Sequence, residues 1–346
     1  MSQILIRVFL AVAVAFTAAA CGGNSGSNGG GGNENSVPPP EQPLPSEKGK
    51  LFFSSPQALS LINLETRGQN VLWTEHEKYP LGIVPVRSGD AVAFTAVNKP
   101  FLLFLSLASL SVRNAIDFSR TWGPSLECGS QPQGSFDLNS DGSIIVFVGK
   151  CSPVGQPERR GIAVMKTDGS MLWRIVAGGE GDNFKNFSPA IVGVLGDPSV
   201  FSVFFASNRG VNGEIGIWQK ASPTAALHLI AQTRFTMDTY SPGMERFFSI
   251  NREYNKMVYM DLVDGKFHLF VLPFTTGGAG VDIGEGRNAD WGKDGHNRIL
   301  YTLNGEHWTT NPDGTDKRKM VPIGNMSTPS NGGLVDGMTG AVFAVK

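Results

Sequence analysis

Residues Asn139-Ser140-Asp141-Gly142-Ser143-Ile144-Ile145-Val146-Phe147-Val148-Gly149 set a tight polar turn directly before a β-branched and aromatic run. Asp-Gly supplies the positive φ that such turns need. Ile, Val and Phe fit the pleated surface of a strand. The unit recurs: Ser88-Gly89 precedes Ala91–Phe94, Pro242-Gly243 precedes Phe247-Phe248, Asp294-Gly295 precedes Ile299–Tyr301, and Asp336-Gly337 precedes Ala341–Ala344. Gly89, Gly142, Gly243, Gly295 and Gly337 are spaced by 53, 101, 52 and 42 residues, the long interval holding two units with the hidden one at Ser188-Pro189. A period near 50 with several short strands per unit is the signature of a β-propeller.

Each unit continues alike. A second strand follows (Gly161–Met165, Glu214–Trp218, Met257–Met260), then a turn (Asp168-Gly169, Asp264-Gly265, Asp313-Gly314), then a last strand (Leu172–Val176, His268–Leu272). Six units begin near residues 51, 81, 134, 187, 239 and 288. The first lacks an innermost strand, and the C-terminal piece Gly333–Val345 reads as an isolated first half. The two ends complement each other, so the ring can close by pairing the last strand beside the first blade, which removes exposed sheet edges. The expected fold is all-β, a propeller of six four-stranded antiparallel blades. Seven blades are the alternative, because Phe343 resembles a further copy of the Phe53, Phe94, Phe147, Phe205, Phe248 and Tyr301 position. The apolar stretch Phe101–Leu110 is too short to span a bilayer and falls where a blade strand is expected.

Composition agrees. The chain has 346 residues, 43 Gly, 21 Pro and 17% charged residues against a usual ~25%, which suits a turn-rich β protein. A formal net charge of -1, from 29 basic and 30 acidic residues, argues against nucleic acid as a partner.

The N-terminus reads as an address. Residues 1–20 carry Arg7, an apolar Val8–Ala20 and a closing Ala18-Ala19-Ala20 directly before Cys21. Ala-Ala-Ala-Cys resembles the bacterial lipoprotein signal, in which the chain is cut before the Cys and that Cys is acylated; Ala18 stands where the family usually has Leu. The resemblance implies lipidation of Cys21, and Gly22 in place of Asp implies an outer-membrane address in a Gram-negative host, facing the periplasm or the cell surface. Residues 21–50 are Gly/Ser/Asn-rich and then Pro-rich, with almost no large apolar side chains. They form a tether that as a random coil would reach about 30 Å. Residues 51–346 are the propeller. Cys128 and Cys151 remain as a candidate disulfide, worth about 3 kcal/mol through the loop entropy it removes, the alternative being two buried thiols.

The repeats look like the TolB-type propeller repeat. The stretches that carry the resemblance are Asn139–Phe147, Phe205-Ala-Ser-Asn-Arg-Gly210 with Glu214-Ile215, and Thr310-Asn-Pro-Asp-Gly-Thr315. It covers about residues 130–320 and implies a fold rather than an activity. Asp168-Gly-Ser-Met-Leu-Trp173 and Gly68-Gln-Asn-Val-Leu-Trp73 are similar to the Gly-x-x-x-Trp repeat of BamB-like propellers. TolB itself has a further N-terminal α/β domain where this chain has the tether.

No catalytic motif stands out: there is no Gly-x-Ser-x-Gly elbow, His-Glu-x-x-His, P-loop or Cys-x-x-Cys. The five histidines, His76, His228, His268, His296 and His307, share no ligand spacing. Aligning innermost strands on their turns places Asp137, Asn186, Thr239 and Asp290 at one level, a partial polar ring lining the central channel. Such a ring could hold a structural cation such as calcium, a water column or a basic peptide segment, or simply link adjacent blades. No other cofactor is expected. The expected function is a membrane-anchored envelope module that binds a protein or peptide. The competing expectation is a glycan lyase or hydrolase acting at the central funnel.

Overall fold

In a computed structural model, residues 50–55, 58–74, 80–86, 90–96, 101–117, 136–139, 141–151, 159–176, 184–194, 197–222, 224–239, 246–291, 297–320 and 341–343 are described. Residues 1–49, with Cys21 and the segment expected to be a tether, and Cys128 lie outside them. Cys151 ends a strand, but its side chain also lies outside what is described.

The described residues fold into six four-stranded antiparallel sheets. Blade one contains β1 (Lys50–Ser55), β2 (Ala58–Asn63) and β3 (Gln69–Trp73). Blade two is β4 (Pro80–Pro85), β5 (Ala91–Ala96), β6 (Phe101–Ser106) and β7 (Val112–Asp117). Blade three is β8 (Phe136–Leu138), β9 (Ile144–Cys151), β10 (Arg159–Lys166) and β11 (Met171–Val176). Blade four is β12 (Asn186–Val194), β13 (Asp197–Ser207), β14 (Glu214–Lys220) and β15 (Leu227–Thr236). Blade five is β16 (Phe248–Asn251), β17 (Lys256–Val263), β18 (Lys266–Pro273) and β19 (Val281–Glu285). Blade six is β20 (Arg287–Trp291), β21 (Ile299–Leu303), β22 (Glu306–Thr310) and β23 (Arg318–Lys319).

The last strand, β24 (Ala341–Phe343), returns to blade one and pairs antiparallel with β1, Leu51 opposite Phe343 and Phe53 opposite Ala341. Innermost strands touch in a closed circuit: β24 with β4, β4 with β8, β8 with β12, β12 with β16, β16 with β20, and β20 with β24. The blade count is therefore six. Phe343 is not the start of a seventh blade, because it sits on the innermost strand that blade one would otherwise lack.

The apolar run after Gly142 follows from this geometry. A blade is covered on both faces, so its strands need not alternate with polar residues. Ile144, Val146 and Val148 of β9 pack with Ile191, Val203 and Phe205 of blade four. Ile145 and Phe147, on the other face, pack with Val84, Ala93 and Phe104 of blade two. A third cluster joins blades one and two through Phe52, Leu59, Ile83 and Phe94. A large one fuses blades four to six around Phe204, Phe247, Tyr259 and Trp291. The seam between blades six and one is small, with Leu51, Ile62, Leu64, Leu300 and Met320. One polar staple reinforces the four–five seam. Asp261 of β17 accepts from the Arg234 amide at 2.7 Å, from its Nε at 3.0 Å and from its Nη2 at 2.8 Å. That carboxylate raises the pKa of the Arg234 guanidinium.

Two turns differ from the sequence expectation. Ser188-Pro189 is not a turn between strands. It lies inside β12 as a bulge, with Ser188 at φ 45° and a register shift between Phe187 and Ala190. Proline cannot donate to a ladder, and a bulge accommodates that. In blade five the turn between the two inner strands is Arg252–Asn255, not Pro242-Gly243. Asn251 fills there the role of Asn139: its Oδ1 accepts from the amides of Glu253 and Tyr254, while Asn139 Oδ1 accepts from Ile144. Phe248 thus belongs to an innermost strand, and Tyr259 of β17 takes the aromatic position of Phe147. Asp264-Gly265 joins the second and third strands of its blade, whereas Asp168-Gly169 joins the third and fourth.

Three Asp-Gly turns share one device. Asp141, Asp168 and Asp313 each accept from the amide and hydroxyl of the residue two further on (Ser143, Ser170 and Thr315), at 2.8–2.9 Å and 2.6 Å. At exposed Asp168 and Asp313 the hydroxyl, and after it the amide, hold the carboxyl below its ordinary pKa. At Asp141 burial pushes upward, but the Ser143 bonds outweigh it. A carboxyl whose folded pKa is lowered stabilises the fold above its unfolded value, and that contribution is lost as pH falls through the folded one. Asp168→Asn with Asp313→Asn is expected to lower the melting temperature at pH 7, with the difference from wild type shrinking as pH falls below the ordinary carboxylate range in pH-dependent calorimetry. Deleting residues 341–346 is expected to lower the melting temperature and produce oligomers in light scattering, because β1 would then present an unpaired edge.

Candidate functional site: the central channel

The strand register defines which innermost residues share a level. Asp137 lies opposite Val146, one residue before Phe147. The corresponding residues are Asp290 opposite Leu300, Ser249 opposite Val258, Ala190 opposite Phe204, Val84 opposite Ala93, and Val342 opposite Phe52. Asp137 and Asp290 therefore do share a level, on blades three and six across the ring. Asn186 does not: it sits four residues earlier, fully buried at the head of β12. Thr239 is on no innermost strand. It closes the turn after β15, where its hydroxyl bonds to Thr236. The displacement of both follows from the bulge at Ser188-Pro189 and the shifted turn of blade five.

Each carboxylate at this level is matched by an arginine from blade five. Arg252, three residues after Ser249, donates through Nη2 to Asp137 Oδ2 at 2.8 Å and to the Leu138 carbonyl at 2.9 Å. Its Nε reaches the Ile191 carbonyl at 2.9 Å, and Nη2 also contacts that oxygen. Asp137 Oδ2 further accepts from the Ile191 amide at 3.0 Å, joining blades three and four. Arg246, three residues before Ser249, pairs through Nη1 with Asp290 Oδ1. Its Nη2 lies 3.4 Å from the carbonyl of Ile83, on blade two across the axis. Ser249 Oγ donates to Asp290 Oδ1 at 3.3 Å and accepts from the Trp291 amide at 3.1 Å. The Phe247 amide donates to Ser188 Oγ at 3.1 Å, tying blades four and five.

Repeated inner-to-outer order sends all six innermost strands in at one end of the ring. We term that the leading end; Arg246 lies toward it and Arg252 toward the trailing end. The two differ in enclosure. The Arg252 and Asp137 side chains are 20% and 13% exposed; those of Arg246 and Asp290 are 29% and 5%. Neither arginine was singled out from sequence. The available signal was the pair of acidic residues on innermost strands, since carboxylates so enclosed require a partner.

The chemistry of the channel is hydrogen bonding and charge pairing. Among the described residues no group of three or more His, Cys, Asp or Glu side chains could hold a metal ion. His228 lies on an outermost strand, His268 and His307 on third strands, and His76 and His296 lie outside the described residues. His268 Nδ1 bonds Asp282 at 2.9 Å on the flank of blade five.

Removing one member of an enclosed pair leaves the other charge unmatched, so Arg252→Ala is expected to cost of the order of 2–3 kcal/mol in denaturant unfolding. Restoring neutrality with Asp137→Asn in the same chain is expected to recover part of that loss.

No protein-family model and no curated protein sequence matches the chain. Solved structures do match. TolB from Acinetobacter baumannii aligns with a TM-score of 0.58 at 11% identity, over 86% of this chain and 67% of that one. A chain of the nidogen/laminin complex aligns at 0.57 and 13% identity, over 86% and 98%. A putative TolB from Agrobacterium tumefaciens aligns at 0.53 and 10% identity, over 79% and 88%. At these identities the likeness is one of fold: the six blades form a TolB-like β-propeller.

Proposed function

We propose that this chain is a tethered binding module of the bacterial cell envelope, with the leading end of its propeller channel as the place where a protein or peptide partner docks. The observation that carries the reading is the channel itself. A rigid closed ring surrounds polar, charge-paired groups, and one guanidinium at the leading end is still partly exposed. Rigid scaffolds that gather connecting segments at one end suit recognition, because little ordering entropy is lost there on binding. Two comparisons support it: the likeness to TolB propellers, and the likeness to a chain solved within the nidogen/laminin complex. The envelope location rests on the sequence of residues 1–50. Export by residues 1–20, acylation of Cys21 and a coil of residues 21–50 would hold the propeller away from an outer-membrane surface. A Cys128–Cys151 disulfide would suit that oxidising compartment.

The test is in-cell crosslinking of the full chain, purification and mass spectrometry, with Cys21→Ser alongside and metabolic labelling with palmitate. One envelope protein recovered with the anchored form, and palmitate incorporated only when Cys21 is present, is the expected result. Absence of any partner, together with turnover of envelope polysaccharide by the purified propeller, would overturn it in favour of a glycan-active enzyme.

A further inference from the structure

We infer that Arg246 is the recognition residue of the leading mouth and that it receives a carboxylate from an acidic segment of a partner protein; this rests on the binding reading above. The inference inverts the charge suggested by the acidic residues alone. Asp137 and Asp290 are each matched by an arginine, and in both pairs the arginine is the more exposed member.

Three observations converge on Arg246. The first is exposure. Asp290 is 5% exposed in its side chain and Arg246 is 29% exposed, so the cation is the solvent-accessible member of the pair. The second is unused capacity. A guanidinium carries five N–H donors. Among the described residues Arg246 spends one on Asp290 and one, at 3.4 Å, on the Ile83 carbonyl, which leaves three. Arg252, by contrast, is bound to a carboxylate and two carbonyls by Nε and Nη2 together. The third is that the Asp290 charge is shared: Ser249 Oγ also donates to Oδ1.

The net balance favours an anion. A carboxylate bonded to the outer edge of Arg246 would sit about twice as far from Asp290 as from the guanidinium. At equal screening, repulsion then cancels roughly half the attraction and leaves a favourable remainder. Two parallel N–H···O bonds to one carboxylate suit the fork of an arginine and not a lysine. Arg246 and Arg252 thus take different parts. Arg252, whose Nε and Nη2 are both engaged and which is 20% exposed, is chiefly a strut; Arg246, with two donors engaged and 29% exposed, is a strut with more of its edge free.

The probe is a fluorescein-labelled hexaglutamate peptide with an amidated C-terminus, read by anisotropy against the full-length protein, with hexaglutamine as its neutral counterpart. Hexaglutamate is expected to bind, and to bind more weakly as ionic strength rises. Arg246→Gln should weaken it at least tenfold and, by leaving the enclosed Asp290 unmatched, lower the melting temperature; Arg246→Gln with Asp290→Asn should recover the melting temperature and still bind at least tenfold more weakly. Arg246→Lys should recover only part of the affinity. Arg252→Gln should lower the melting temperature and leave affinity unchanged. Equal binding of hexaglutamine, equal binding by Arg246→Gln, or no binding of hexaglutamate would each overturn the assignment. Partner capture separates the two readings. A partner recovered equally with wild type and Arg246→Gln removes the role of Arg246 but keeps the binding module. No partner with wild type removes the binding module itself.

Discussion

Every blade in this protein is buried on both faces, and that condition can be met only if the ring closes. An open row of six sheets would leave one apolar face of the first blade and one of the last in water. Closure falls to β24, three residues long, which takes the innermost place in blade one and brings Leu51 and Ile62 against Leu300 of blade six. Among the described residues, the cluster at this seam has the fewest members. The continuous apolar runs and the small charged fraction follow from the same two-faced burial.

Polar contacts are concentrated at the centre and at the turns. At the centre, hydrogen bonds run from blade three to four through Asp137, from four to five through Ser188, and from five to six through Ser249. The arginines of blade five add longer links, to blades three and four on one side and to blades six and two on the other. At the rim, the Asp-Gly-Ser/Thr turns hold their carboxylates in solvent and need no partner from another blade. The interior polar groups therefore depend on the ring, and the turn carboxylates do not.

This division decides what could be read from sequence. The run Ile144–Val148 and its preceding turn announced the repeat, because a tight turn and a strand are local matters. Complementary ends announced the closure. The channel was harder. Ser188-Pro189 and Pro242-Gly243 have turn chemistry, yet the first is a bulge within a strand and the second precedes one, so the alignment built on them misplaced Asn186 and Thr239. Asp137 and Asp290 share a level because each lies opposite the residue that precedes the aromatic of its second strand, Phe147 or Tyr301. Arg252 pairs with a residue 115 positions away and Arg246 with one 44 positions away, separations at which no local pattern links the partners.

The reach of Arg246 also bears on how many blades such a protein can have. Propellers are built from one repeated unit, and a chain of repeats can gain or lose a copy. Here blade five touches blade two, its opposite number in a ring of six, through a single side chain. A seventh copy would widen the ring and carry the Ile83 carbonyl out of that side chain's range, and it would shift which blades face each other. A fifth-copy deletion would remove both arginines at once. The channel contacts thus act as a gauge of circumference, tying the number of repeats to the length of one arginine.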